Sequence, residues 1–492
     1  MKRPLPYTGF NFVESGNLSV VYPGGNEIPI SQINPVVPKE NSAGHTAKTR
    51  NLSEGKGMYR KSTLENGVRV VTETMPGHRS ISLGIVIDAG PRNETPGQSG
   101  LAHFVEHLLF CGTSSRDATQ IARLMDEAGG HMGAFTARDF TCYSATVLDD
   151  YFTYALDLLG DILFNSIFPP DSLEREKNAI LREIESGSDI PSERVHDLLK
   201  AYAWPDHHLG RSIAGRAETI TPLTREDVIY YVHEHYSPDR IIVAAAGNVD
   251  HEDFVAQVRD AFWRMVGRSE PVGKELPIFH SGVTLKYMPV SQAYFSLGIR
   301  TCPFADPNRY GIHILNNVLG AGISSRLFRH IRESRGLVYH IGSEYHAYRD
   351  DGMLVIEGCT APENLLLVLN LVLDEIWKLI SGTEAVSEEE LWKAKMHIRG
   401  QHLISGENTN TRMNRLASQE LYFGGYIPDE DILAQIDRIH TQKLQSLADE
   451  VLQDALGQTA VAVVGPEAPD HYQFSSIKKL FEDYQYARGE RR

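Results

Sequence analysis

The spacing of apolar positions changes along the chain, and each spacing predicts an element. Residues 66–75 (NGVRVVTETM) and 80–90 (SISLGIVIDAG) are short runs rich in β-branched side chains with turn residues between them, which predicts two strands. Residues 98–110 and 117–128 repeat their apolar positions at three and four, which predicts helices. A strand pair over 129–147 (GGHMGAFTARDFTCYSATV), helices over 149–164 and 171–186, and a strand over 240–249 (RIIVAAAGNV) follow. The mixture predicts an α+β fold, an antiparallel sheet covered by helices.

The second half repeats the first. SQAYFSLGIRTCP (291–303) parallels HRSISLGIVIDAG (78–90). With a shift of 210 residues, HILNNVLGAGISSR (313–326) lies on HFVEHLLFCGTSSR (103–116) without a gap. His313 then matches His103, while Asn316 stands against Glu106 and Asn317 against His107. The expected organisation is two homologous domains, 59–265 and 280–470. Residues 266–279, with Pro271, Gly273 and Pro277, read as the linker, and 471–492 as a C-terminal tail. Residues 1–58 are proline-rich, polar and aperiodic, and read as an extended or disordered arm.

Composition narrows the function classes. The 492 residues are 41% hydrophobic and 23% charged, ordinary for a globular protein. A net charge of −16 argues against nucleic acid, whose partners usually carry a basic stripe. Charges break the apolar runs short of the ~20 residues a membrane span requires. No apolar leader opens the chain, so a cytoplasmic protein is expected, with organelle import left open. Cys111, Cys142, Cys302 and Cys359 are widely spaced and read as free thiols.

The chemistry concentrates in SGLAHFVEHLLF (99–110). Helical positions i, i+3 and i+4 share a face, so His103, Glu106 and His107 stand together among apolar neighbours. Two imidazoles one turn apart suit a single zinc ion, and a hydrolytic site then needs a third protein ligand. Glu106 is placed to take a proton from water and return it to a leaving amine. The spacing is that of an inverted zinc-peptidase motif, H-x-x-E-H. The alternative is a pair of histidines satisfied within a core.

Together with LEREKNAILREIESGSDIP (173–191), HHLGRSIAG (207–215) and AAAGNV, this helix makes residues 60–470 resemble the pitrilysin-type inverzincins. The likeness is to their half-length branch, related to the mitochondrial processing peptidase. The resemblance implies Glu183, 76 residues beyond His107, as the third zinc ligand. Glu176, two turns earlier, matches a second family acid and reads as support for a ligand or for the attacking water, its alternative being a solvated charge. Glu185 and the histidines of HEH (233–235) match no ligand position. In this family an extended substrate adds to a sheet edge, which implies backbone contacts from Ala134, Phe135 and Thr136, with Phe135 lining a side-chain pocket. Gly133 departs from the family's usual Asn there. Arg332 and Tyr339 match an Arg/Tyr pair that binds substrate backbone and steadies the oxyanion. The glycine-rich start of 320–343 lacks the GKS/T of a nucleotide loop.

The resemblance also implies an assembly. Full-length relatives join two such halves into a chamber, and this chain is one half. Because one chain carries both motifs, a homodimer is expected, each site using His103, Glu106, His107 and Glu183 of one copy and Arg332 and Tyr339 of the other. The expected activity is zinc-dependent endopeptidase action on peptides or unfolded segments, with one zinc per chain. The alternative is a non-catalytic scaffold, or a subunit requiring an unlike, homologous partner.

Overall fold

The computed structural model describes residues 19–21, 27–29, 58–267, 276–452, 459–467 and 474–489. A short antiparallel pair, β1 (Ser19–Val21) and β2 (Glu27–Pro29), belongs to a unit of its own, Met1–Ser53. The rest of the N-terminal arm, and the centre of the linker from 268 to 275, lie outside the described residues.

The first sheet is built from β3 (Met58–Thr63), β4 (Arg69–Thr74), β5 (Ser80–Ile87), β6 (His131–Thr136), β7 (Thr141–Leu148) and β8 (Ile241–Gly247). Its order is β3-β4-β8-β5-β7-β6. Between the strands run α1 (Leu101–Leu109), α2 (Ala118–Glu127), α3 (Phe152–Asn165), α4 (Pro170–Asp189), α5 (Pro191–Ala203), α6 (Ala217–Ile220) and α7 (Arg225–His235). The helix α8 (His251–Phe262) follows β8.

The second sheet uses β9 (Gly282–Tyr287), β10 (Ala293–Thr301), β11 (Val338–Ala347), β12 (Gly352–Thr360) and β13 (Thr459–Gly465). Read from β9, its order is β9-β13-β10-β12-β11, which repeats β4-β8-β5-β7-β6 strand for strand. Its helices are α9 (Arg309–Leu319), α10 (Leu365–Ser381), α11 (Glu388–Ser405), α12 (Thr409–Phe423), α13 (Asp429–Asp437), α14 (Thr441–Leu447) and α15 (Phe474–Gly489). In α15, within the stretch read as a tail, Ile477 and Phe481 are buried in the second core.

The fold is α+β in two related halves, each a largely antiparallel sheet covered by helices. Each sheet holds one parallel pair, β4 with β8 and β9 with β13. The reason is topological: β8 and β13 return only after a long helical excursion, and a crossover of that length permits parallel pairing.

Each half also sends a helix across to the other's sheet. Met413, Leu416 and Ala417 of α12 pack with Val71, Val86, Ile242 and Ala244 of the first sheet. Val195, Leu199 and Ala203 of α5 pack with Met353, Val355, Ala460 and Ala462 of the second. Gly84 is what lets α12 come so close, since a Cβ there would sit 2.5 Å from Met413 Sδ. The sheets are therefore covered on both faces, which explains why β8 and β13 are buried at every position. A polar hub reinforces the exchange. Buried Asp139, in the turn between β6 and β7, accepts from Tyr422 Oη (2.9 Å) and the Arg349 N–H (3.1 Å) and pairs with Arg92. Arg92 also reaches Asp350 (2.5 Å), and Arg349 reaches Asp88 (2.6 Å). No described helix is long and apolar enough to cross a membrane.

Replacing fully buried Met413 by Ala opens a void between α12 and the first sheet. It is expected to cost ~2–5 kcal/mol, seen as a lower urea midpoint at constant m-value. An unchanged midpoint would mean that α12 contributes little to holding the halves together.

Candidate active site

The centre is organised by α1. Leu101, Ala102, Phe104, Val105, Leu108 and Leu109 are buried in the first core, which turns His103, Glu106 and His107 to the opposite side of the same helix. The helix starts at Gly100, in the left-handed region (φ 96°), which has no side chain to cap it. A carboxylate from upstream does so instead: Glu94, buried, accepts from the N–H groups of Gly100 (3.0 Å) and Ala102 (2.7 Å). Desolvation raises the Glu94 pKa to about 7. Gly215, at the end of the HHLGRSIAG stretch, seals the same corner: a Cβ there would lie 2.3 Å from Ser99 O.

The second contributor is α4, which packs against α1. Glu183 Oε1 lies 3.9 Å from His103 Nε2, and its Oε2 lies 4.0 Å from His107 Nε2. One donor atom from each of the three residues lies within 4.8 Å of the other two. Ligands at zinc distances of ~2.0–2.3 Å in tetrahedral array stand roughly 3.3–3.7 Å apart, so a small inward movement of half-exposed Glu183 completes the geometry. The donor set fits zinc chemically, two imidazoles and a carboxylate. Among the described residues Glu183 forms no ion pair with a lysine or arginine and lies against these two imidazoles. Burial lowers the His103 pKa to about 4, with His107 adding repulsion, which keeps the ring in the neutral form a metal needs.

Glu176 lies 3.4 Å from His107 Nδ1 and is also held by Arg175 (3.1 Å). It thus faces the ring nitrogen turned away from Glu183, where an acceptor would fix the tautomer and ring orientation. Glu106 points to β6, where Thr136 Oγ1 donates to its Oε2 at 2.6 Å. Partial burial raises the Glu106 pKa from its ordinary value.

Ala134, Phe135 and Thr136 lie on β6, an outer strand of the first sheet whose only strand partner among the described residues is β7. Phe135 is 41% exposed and meets Phe140 edge-on at 5.8 Å. Gly133, on the same strand, is half-buried. Arg332 and Tyr339 stand elsewhere. Arg332, exposed, sits in a π-helical turn (Phe328–Glu333) with its guanidinium 4.9 Å from the Phe328 ring. Tyr339, 77% exposed, is on β11, an outer strand of the second sheet. Among the described residues no hydrogen bond or ion pair links either to the histidine centre. Glu185 is exposed, and His235 packs edge-on against Tyr231.

Two contributions had not been expected. The cap by Glu94 joins residues six and eight apart across a loop, outside any helical spacing. The Thr136 hydroxyl reaches Glu106 across 30 residues, where only a backbone role had been expected of it. A carboxylate just upstream of a cap-less helix was the one available signal for the first; the second had none.

The chain matches the family described as insulinase (peptidase family M16) over residues 69–217, and the peptidase M16 inactive domain over residues 222–397. The uncharacterized zinc protease YmxG of Bacillus subtilis is 34% identical over 409 residues, covering 83% of this chain and 98% of its own. The uncharacterized zinc protease ML0855 of Mycobacterium leprae is 36% identical over 435 residues, covering 87% and 96%. A protease from Helicobacter pylori shares the fold, with a TM-score of 0.78 at 20% identity over 83% of this chain and 100% of that one. This chain belongs to peptidase family M16, a half-length member of the pitrilysin type.

Replacing Glu176 by Gln is expected to lower zinc affinity ~10–100-fold, measured by competition with a zinc-binding dye. Unchanged affinity would remove Glu176 from the support of His107.

Proposed function

We propose that this protein is a zinc-dependent endopeptidase acting on peptides or unfolded segments, and that its working form is a homodimer enclosing them. The observation that carries the reading is the convergence of His103, His107 and Glu183 beside Glu106 and next to an outer sheet strand. Zinc held by those three residues, one ion per chain, supplies Lewis acidity to the scissile carbonyl and the attacking water.

The remaining work falls to the chain's own groups. An extended peptide pairs with the backbone of Ala134, Phe135 and Thr136 along β6, which favours unfolded substrates over particular sequences. Phe135, exposed there, offers an aromatic wall to one substrate side chain. Glu106 accepts the proton of the attacking water and delivers it to the departing amine nitrogen. Its raised pKa makes the carboxylate a stronger base for taking that proton. The Thr136 hydroxyl, donating to Glu106 Oε2, holds that carboxylate in place.

Arg332 and Tyr339 are exposed and separate from this centre within one chain, in keeping with a role in the site of the opposite copy. There the Tyr339 hydroxyl and Arg332 guanidinium donate to the substrate backbone and the developing oxyanion.

Glu106→Gln is expected to lower kcat ~10²–10⁴-fold while zinc content and melting temperature hold. Tyr339→Phe is expected to be impaired as well. Mixed dimers of the two variants regain activity if sites are shared between copies. Absence of recovery in verified mixed dimers would refute the shared site, and full activity of Glu106→Gln would refute the peptidase reading.

A further inference from the structure

The duplication leaves a second cleft where the first domain has its histidine centre. On α9, His313 and Asn317 stand where α1 has His103 and His107. On α11 the register follows from the exchanged helices. Val195 and Leu199 of α5 do for the second sheet what Met413 and Ala417 of α12 do for the first, a shift of 218 residues. The same shift carries core residue Ile180 to Ile398 and Glu183 to Gln401. His313, Asn317 and Gln401 all line one cavity of about 620 Å³. The ligand set has been lost, yet the space has not been filled.

The walls describe an occupant. Phe304, Tyr310 and Phe423 with Ile398, Ile432 and Ile436 provide an apolar, largely aromatic lining. Arg309 supplies the charge. Its guanidinium lies between the rings of Tyr310 (4.3 Å) and Phe423 (4.7 Å) and donates to Tyr310 Oη (2.6 Å) and Asp306 O (3.4 Å). It pairs with no carboxylate among the described residues. The other cavity arginine, Arg415, is already committed to Asp429 (3.0 Å). A neighbouring cavity of about 340 Å³ shares Phe304, Arg309, Tyr310 and His313 and runs along Tyr345–Tyr348, at the end of outer strand β11. An arginine between aromatic faces, with donors to spare, suits a carboxylate. The amides of Asn317 and Gln401, which line the same cavity, suit peptide groups.

We propose that this second cleft is a non-catalytic binding site for the free C-terminus of a peptide ending in an apolar or aromatic residue. The terminal carboxylate pairs with Arg309, the last side chain enters the Tyr310–Phe423–Ile432 lining, and the preceding chain leaves toward β11. The site would hold one end of a product or substrate, but it requires neither zinc nor Glu106.

Isothermal titration of the full-length Glu106→Gln protein with N-acetyl-Ala-Ala-Ala-Phe, with and without chelator, tests it. The acid peptide is expected to bind equally in both, so the result is independent of the peptidase reading. The C-terminal amide of the same peptide, and an added Arg309→Gln, should each weaken binding about tenfold or more. Ala321→Trp, which fills the larger cavity, should abolish it. If Arg309→Gln does not fold by circular dichroism, the acid–amide pair and Ala321→Trp still decide. Equal affinity for acid and amide, no binding, or binding that survives both variants overturns the proposal. So does binding of dodecanoate without the peptide, which would make the cleft a fatty-acid site.

Discussion

The chemistry here depends on one helix being buried along one side and capped from outside. The helix α1 gives the first core six apolar side chains in nine residues, so its rotation about its own axis is set by packing. That rotation aims His103, Glu106 and His107 at the same small volume. Translation along the axis is limited by Glu94, which satisfies two N–H groups that Gly100 leaves without a cap. The raised pKa of Glu94 records how far that carboxylate has been taken out of water to do so. A polar centre built on an apolar helix is thus as rigid as the core beneath it.

The second constraint is the reciprocal exchange of α5 and α12. Neither half covers both faces of its own sheet, so neither buries its full core alone. The exchange also bears on the centre, because α5 follows α4 directly and α4 carries Glu176 and Glu183. The far end of β6 is tied down in the same way, through Asp139 and its contacts with Arg349 and Tyr422 from the second half. This outer strand, paired with β7 on one side, is thus also tied at its end by polar groups from the second half.

Duplication followed by divergence explains the asymmetry between the halves. The strand order is the same in both, yet the second carries Asn316 and Asn317 where the first has a glutamate and a histidine. Asn316, buried, has turned to structural use, accepting from the Ser343 hydroxyl at 2.6 Å. The space that a metal centre would need is lined instead by aromatic rings and two arginines, one of them committed to Asp429. The same framework therefore presents two clefts of different chemistry.

Much of this was legible in the chain itself. Alternation and helical spacing marked the elements, the gap-free repeat marked the duplication, and three polar residues inside an apolar helix marked the centre. These are local signals, carried by side chains within one turn or one strand of each other. What the sequence left open was decided by contacts between distant segments. The parallel pairs arise from where long crossovers return, and the exchanged helices from apolar faces that match only once both sheets exist. The Thr136–Glu106 bond and the Glu94 cap depend on how an outer strand and a loop settle against α1, which no spacing along the chain encodes.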